Sequence, residues 1–200
     1  MRCATNKRDI MDNNEVLEIF QKTDALLKGH FKLSSGLHSG QYLQCALVLQ
    51  HPQYAQLLCR QLAQEFAEEK PTAIVAPALG GVLVSYEVAR SLGCRSLFTE
   101  REEGKMVLRR GFGLGSSDRV VVVEDVVTTG ASTREVIDVV TQAGARLIGV
   151  GAIVDRSGET IDFGVPFKSL LALNIKTFKP EGCPLCTSGI PLVKPGSRPT

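Results

Sequence analysis

No run of about eighteen uncharged apolar residues, the length needed to cross a bilayer, occurs in the chain. The basic start Met1-Arg2-Cys3-Ala4-Thr5-Asn6-Lys7-Arg8-Asp9 is not followed by the apolar stretch of a secretion signal. A soluble, unsecreted, cytoplasmic protein is expected. Charge of one sign is scarce as well. The formal net charge is +2 and the basic residues are dispersed apart from Arg109-Arg110, so the cationic stripe of a nucleic-acid binder is missing and any anionic partner should be small. The six cysteines form no disulfide framework: Cys3, Cys45, Cys59 and Cys94 stand singly in ordinary segments, a usage that fits buried thiols in a reducing compartment. A Gly-x-x-x-x-Gly-Lys-Ser/Thr loop is absent, and Gly111-Phe112-Gly113-Leu114-Gly115 precedes its strand instead of following it, which excludes the P-loop and dinucleotide readings. There is no internal repeat.

What is present is enough for one core. Two hundred residues, 44% of them hydrophobic, suit a single domain with a small appendage. The apolar spacing Val16, Ile19, Phe20, Leu27 predicts an amphipathic helix from Asp12 to Lys28, with Asp12, Asn13 or Asn14 as N-cap and Gly29 after its end. Pro52 opens a second predicted helix that buries Ala55, Leu58, Leu62 and Phe66. Ala73-Ile74-Val75-Ala76, Leu97-Phe98-Thr99, Val120 to Val123 and Leu147 to Val154 read as strands, with helices predicted at Val82 to Leu92 and about Ser132 to Ala143. Alternating strands and helices argue for a doubly wound α/β sheet with its ligand site at the carboxyl ends of the strands. From Pro180 onward, proline and glycine predict an extended tail rather than a second domain.

The chemistry concentrates in Val120-Val121-Val122-Val123-Glu124-Asp125-Val126-Val127-Thr128-Thr129-Gly130-Ala131-Ser132-Thr133. A buried strand delivers two adjacent acids to the sheet edge, and a loop of small and hydroxyl residues then opens a helix. Amide groups at a helix N-terminus, helped by hydroxyls and by a glycine that permits close approach, make a phosphate cradle. The two acids lie one loop away, where they can face sugar hydroxyls or a Mg²⁺ bridged to pyrophosphate. Taken alone, an acid pair after a valine run is equally a solvated strand end.

The whole string resembles the phosphoribosyl pyrophosphate signature of the type I phosphoribosyltransferases, and further segments resemble the orotate branch of that family. Phe31-Lys32-Leu33-Ser34-Ser35-Gly36-Leu37-His38-Ser39-Gly40-Gln41-Tyr42 is similar to its N-terminal substrate-recognition segment, and Ala76-Pro77-Ala78-Leu79-Gly80-Gly81-Val82 to its pyrophosphate loop, where a cis peptide would fall at Ala78-Leu79. Phe98 to Phe112 looks like the flexible catalytic loop that reaches into a partner subunit, with a solvated hairpin as the alternative. Val154-Asp155-Arg156-Ser157 resembles the substrate-contacting strand end, and a guanidinium suits the carboxylate that sets orotate apart from other bases.

The resemblance implies a Rossmann-like, mainly parallel α/β sheet flanked by helices (about 53 to 170), with a small hood from about 12 to 50 and 171 to 200. It implies Arg101, Lys105 and Asp125 as catalytic residues. Ala78, Leu79, Gly80, Arg101, Lys105, Glu124, Asp125, Val126, Val127, Thr128, Thr129, Gly130, Ala131 and Ser132 would bind the donor, and Thr128 and Arg156 orotate. It also implies Mg²⁺ held mainly through the donor near Glu124 and Asp125, and a homodimer acting on small molecules, with no nucleic acid or membrane partner. A purine-base transferase and a non-catalytic sensor of phosphoribosyl pyrophosphate are the rival readings.

The chain departs from the family pattern at Glu102, Val107 and Ser34, where many members carry Lys, His and Lys; Arg109 or Arg110 is the candidate to replace that charge. Cys183-Pro184-Leu185-Cys186 supplies only half the ligands of a zinc site. His30, His38 and His51 lie far away in sequence and are not spaced as obvious partners, so the motif is expected to belong to a structural tail, with metal binding as the alternative.

Overall fold

The computed structural model describes residues 11–33 and 35–195; Cys3 and Ser34 lie outside them. Helix α1 (Asn13–Lys22) starts at a capping box, in which the Asp12 carboxylate accepts from the amides of Asn14 and Glu15 while the Glu15 carboxylate accepts from the Asp12 amide. It ends six residues before the predicted Lys28. The Thr23 hydroxyl donates to the Ile19 carbonyl, Asp24 turns to φ 52°, and the Ala25 amide donates back to the Phe20 carbonyl at 2.9 Å, a closure of the Schellman type. Leu27, read from its spacing as helical, therefore belongs to a strand: β1 (Leu26–Lys32) pairs antiparallel with β2 (His38–Leu43).

The short α2 (Cys45–Leu49) and α3 (Pro52–Gln64) lead into the main unit: β3 (Ala73–Pro77), α4 (Gly80–Leu92), β4 (Arg95–Glu102), β5 (Lys105–Leu108), β6 (Arg119–Val127), α5 (Ala131–Gln142), β7 (Arg146–Asp155) and β8 (Phe167–Ala172). These strands form one sheet in the order β5-β4-β3-β6-β7-β8, parallel throughout except for the antiparallel edge strand β5. Alternate residues of the same strands enter two cores. Ile74, Ala76, Val121 and Val123 pack with α1, α3 and α4, whereas Ala73, Val75, Val120 and Val122 pack with Val136 and Val140 of α5. The continuous valine run is thus a strand covered on both faces, as its sequence predicts.

The predicted extended tail is folded instead. Strand β9 (Thr177–Phe178) joins β2 to complete a three-stranded second sheet, a 3₁₀ turn covers Pro180–Gly182, and α6 spans Pro184–Thr187. Val193 then returns beside β1, where it accepts from the Lys32 amide and donates to the His30 carbonyl, each at 2.8 Å. This return overturns the expectation drawn from spacing for the cysteine pair: His30 and His38 meet Cys183 and Cys186, although more than 140 residues separate the two pairs. His51 stays out of the cluster and packs edge-on against Tyr54. Of the single cysteines, Cys45 and Cys59 are buried thiols and Cys94 is half-buried.

Candidate active site

The carboxyl ends of β3 and β6 converge on one spot. Strand β6 carries Glu124 and Asp125 out of the hydrophobic layer, and β3 delivers the loop Ala78-Leu79-Gly80-Gly81 that opens α4. The Ala78–Leu79 peptide is cis, at the bond singled out by the sequence resemblance. The two glycines are needed for contact: a Cβ on Gly80 would lie 2.8 Å from both carboxylate oxygens of Asp125, and one on Gly81 would lie 2.8 Å from the Ala76 Cβ and 2.9 Å from Glu124 Oε2. The acids are therefore pressed against the N-terminal turn of a thirteen-residue helix. Gly81→Ala should destabilise the fold by about 1–3 kcal/mol in denaturant titrations, because the Ala76 backbone cannot yield within the sheet; an unchanged midpoint would contradict this packing.

Both acids are costly to ionise here. Burial, and then the neighbouring Asp125, push the Glu124 carboxyl up to about 9. Among the described residues its Oε2 is buried with no hydrogen-bond partner. Burial also raises Asp125, partly offset by the Val126 amide donating to Oδ1 at 3.0 Å. A buried, partnerless oxygen is complementary to donors from a ligand, such as sugar hydroxyls or a hydrated cation.

Beyond the acids, the loop Thr128-Thr129-Gly130 opens α5. Gly130 takes φ 74° as the N-cap of α5 and has no side chain to offer the first amides, while the Ala131 amide reaches only the Thr129 hydroxyl at 3.4 Å. The first amides of a helix have no partner within it, which makes such a turn suited to an anion. Across the site, Arg156 stands at the end of β7, its amide donating to the Val127 carbonyl at 2.8 Å. Burial lowers the pKa of its guanidinium, and Cys45 and Tyr42 act in the opposite direction.

Cys45 is a site neighbour that the sequence did not reveal. Its Sγ lies 3.7 Å from the Asp125 carbonyl, and burial, reinforced by Asp125, raises its thiol well above the ordinary range. A lone cysteine in an apolar segment carries no signal of that contact.

Arg101 and Lys105 are placed differently from the acids. The segment expected to be a flexible catalytic loop forms the β4–β5 hairpin, closed by a two-residue turn with positive φ at Glu103 and Gly104. Arg101 donates to the Gly104 carbonyl and to Glu135 of α5, both at 2.6 Å, and Lys105 lines a cleft beside Glu135 and Asp138. Arg110 grips Glu100 through two 2.8 Å bonds and Arg109 lies 3.5 Å from Glu102, so both candidate replacement cations are engaged within the hairpin.

Comparison with known proteins agrees with this geometry. Residues 47–182 match the model of the phosphoribosyl transferase domain, and the chain is 56% identical over 188 residues to the orotate phosphoribosyltransferase of Desulforamulus reducens, covering 94% of this chain and 98% of that one. The chain belongs to the orotate phosphoribosyltransferase family. Among solved structures of this family, the Aeropyrum pernix enzyme superposes with a TM-score of 0.63 at 28% identity, covering 79% of this chain and 93% of that one. The Mycobacterium tuberculosis enzyme reaches a TM-score of 0.68 at 23% identity over 82% and 97%, a likeness of fold.

Proposed function

We propose that the chain transfers the 5-phosphoribosyl group from phosphoribosyl pyrophosphate to orotate, giving orotidine 5′-phosphate and pyrophosphate, as a step of de novo pyrimidine (UMP) biosynthesis. The observation that carries this is the convergence, at the carboxyl ends of the strands, of the half-buried acid pair, two helix N-termini and the half-buried Arg156. The amides of Thr129 to Ser132 would hold the 5′-phosphate, with Glu124 and Asp125 accepting from the ribose hydroxyls. The Ala78-Leu79-Gly80 backbone would lie along the pyrophosphate, and Arg156 and Thr128 would orient orotate through its carboxylate.

In the reaction the C1–O bond to pyrophosphate breaks as the C1–N bond to the orotate ring forms, through a transition state resembling an oxocarbenium ion. No covalent nucleophile is needed, and positioning and charge supply the rate. Mg²⁺ belongs to the proposal, since the partnerless Glu124 oxygen and its acidic neighbour are the hard donors such an ion accepts beside a phosphorylated sugar. When bound it would neutralise charge on the departing pyrophosphate. Arg101 and Lys105, on a hairpin, would join the leaving group once the Glu135 contact is released.

Leu79, Leu83 and Tyr86, 86%, 51% and 60% exposed, leave an apolar stripe along α4 that supports a homodimer as part of the same reading. The unpaired cysteines support a reducing, cytoplasmic location. No helix among the described residues is long and apolar enough to cross a membrane.

The test is to follow orotate absorbance with Mg²⁺ and phosphoribosyl pyrophosphate, with adenine, hypoxanthine and uracil in parallel. Orotate alone should turn over, and Arg156→Ala should raise the orotate KM about 10–100-fold with the donor KM little changed. Turnover of a purine would reassign the acceptor. Inactivity with every base would leave a phosphoribosyl pyrophosphate sensor as the reading.

A further inference from the structure

Far from the acid pair in sequence and in role, four metal-ligating side chains meet. The ligand atoms of His30, His38, Cys183 and Cys186 all lie within 4.8 Å of one another. Two local devices present them. The β1–β2 register pairs Lys32 with His38 and shifts between Lys28 and Phe31, and at this irregularity the His30 ring meets that of His38 edge-on, 4.9 Å between centroids. Cys183 caps α6 and Cys186 follows three residues later on the same helical turn, so both sulfurs project to one side. The pairing of β9 with β2 then lays this turn over the hairpin.

We propose that these four residues form a structural zinc site, Cys₂His₂, that fastens the C-terminal segment to the β1–β2 hairpin. Zn–S bonds of about 2.3 Å and Zn–N bonds of about 2.0–2.1 Å around a tetrahedron place neighbouring ligand atoms about 3.3–3.8 Å apart. Four of the six separations are 3.0 Å between His30 Nε2 and His38 Nδ1, 3.5 and 3.7 Å from His30 Nε2 to the sulfurs of Cys183 and Cys186, and 3.3 Å from Cys186 to His38 Nδ1, and the other two lie within 4.8 Å.

Hydrogen bonding alone does not account for this arrangement. His30 Nδ1 lies 2.8 Å from the Ile190 carbonyl, which can only accept, so this contact selects the tautomer with the proton on Nδ1, in which Nε2 offers a single lone pair. That one lone pair is approached by three groups at once. A cation at their common centre uses it fully, and the Ile190 carbonyl is then the outer partner that fixes the tautomer and ring orientation of a ligating histidine. His30, His38 and Cys183 are buried, at 2%, 5% and 2% exposure, and Cys186 is exposed; four protein ligands leave no open coordination position, which makes the role structural. Two nitrogens and two sulfurs in a tetrahedron select zinc over magnesium, so the site is distinct from the Mg²⁺ of the proposed reaction and does not depend on that reaction.

Elemental analysis of the untagged full-length protein, expressed with zinc in the medium and dialysed against Mg²⁺ buffer, should find about one zinc per chain. After chelator stripping, Co²⁺ should restore a tetrahedral visible spectrum with thiolate charge-transfer bands in the near ultraviolet. Cys186→Ala, at an exposed ligand, should abolish both signals, and Cys94→Ala should keep them. Zinc below about 0.1 per chain without a Co²⁺ spectrum, iron in place of zinc, or full zinc retention by Cys186→Ala would each overturn the site.

Discussion

Asp125→Asn is expected to lower kcat/KM about 10²–10³-fold while leaving the unfolding temperature unchanged or slightly raised. The asymmetry follows from where the carboxylate sits. In the unliganded chain it is pressed against Gly80 and accepts one local amide, and burial works against its charge. A neutral amide of the same shape relieves that cost. In the proposed transition state the same carboxylate accepts from ribose hydroxyls while positive charge grows on the sugar ring, and an amide supplies neither the charge nor two acceptor oxygens. Parallel measurement of turnover and thermal unfolding decides it: a large joint loss would show that Asp125 holds the fold rather than the substrate.

Glu124 gives the second large effect, and its sign is opposite to that of a salt-bridged acid. Its carboxyl moves from an ordinary 4.5 to about 9 in the folded chain. Between those values the folded protein retains a proton that the unfolded chain has released. The cost of burying this group is therefore absent below pH 4.5 and grows as pH rises toward 9. Glu124→Gln removes that dependence. Its unfolding temperature should match the wild type near pH 5 and exceed it by about 2–8 °C near pH 8.5, with activity reduced. A gap that is flat with pH would mean that the group is already ionised in the free protein. Donor binding that recruits the carboxylate should release a proton near neutral pH, read by calorimetry in two buffers of different ionisation enthalpy.

Much of this site was legible because its parts are contiguous. Val120 to Ser132 encodes strand, acids, loop and helix start in one string, and the Gly80-Gly81 pair declares a close approach before its partner is known. What failed to show was set by contacts between distant segments. The spacing of Leu27 after Phe20 fits a helix, and only the reversal at Thr23 and Asp24 assigns it to a strand. The histidines look isolated until β9 pairs with β2. Phe66 likewise finds its room in Gly149 and Gly151 of β7, where a Cβ would come within 2.6 and 3.0 Å of its ring. None of these pairings leaves a mark at fixed sequence distance.

The Arg101–Glu135 contact has a kinetic meaning. It joins two side chains that are 49% and 39% exposed, and such a pair contributes about 0–1 kcal/mol. A latch this weak stands open in a sizeable fraction of molecules before any substrate arrives, and in the proposed reaction pyrophosphate, with several negative charges, would outcompete a single carboxylate for the guanidinium. Hairpin engagement would then add little to the activation barrier, and salt should unfasten the resting hairpin while also weakening its grip on the leaving group.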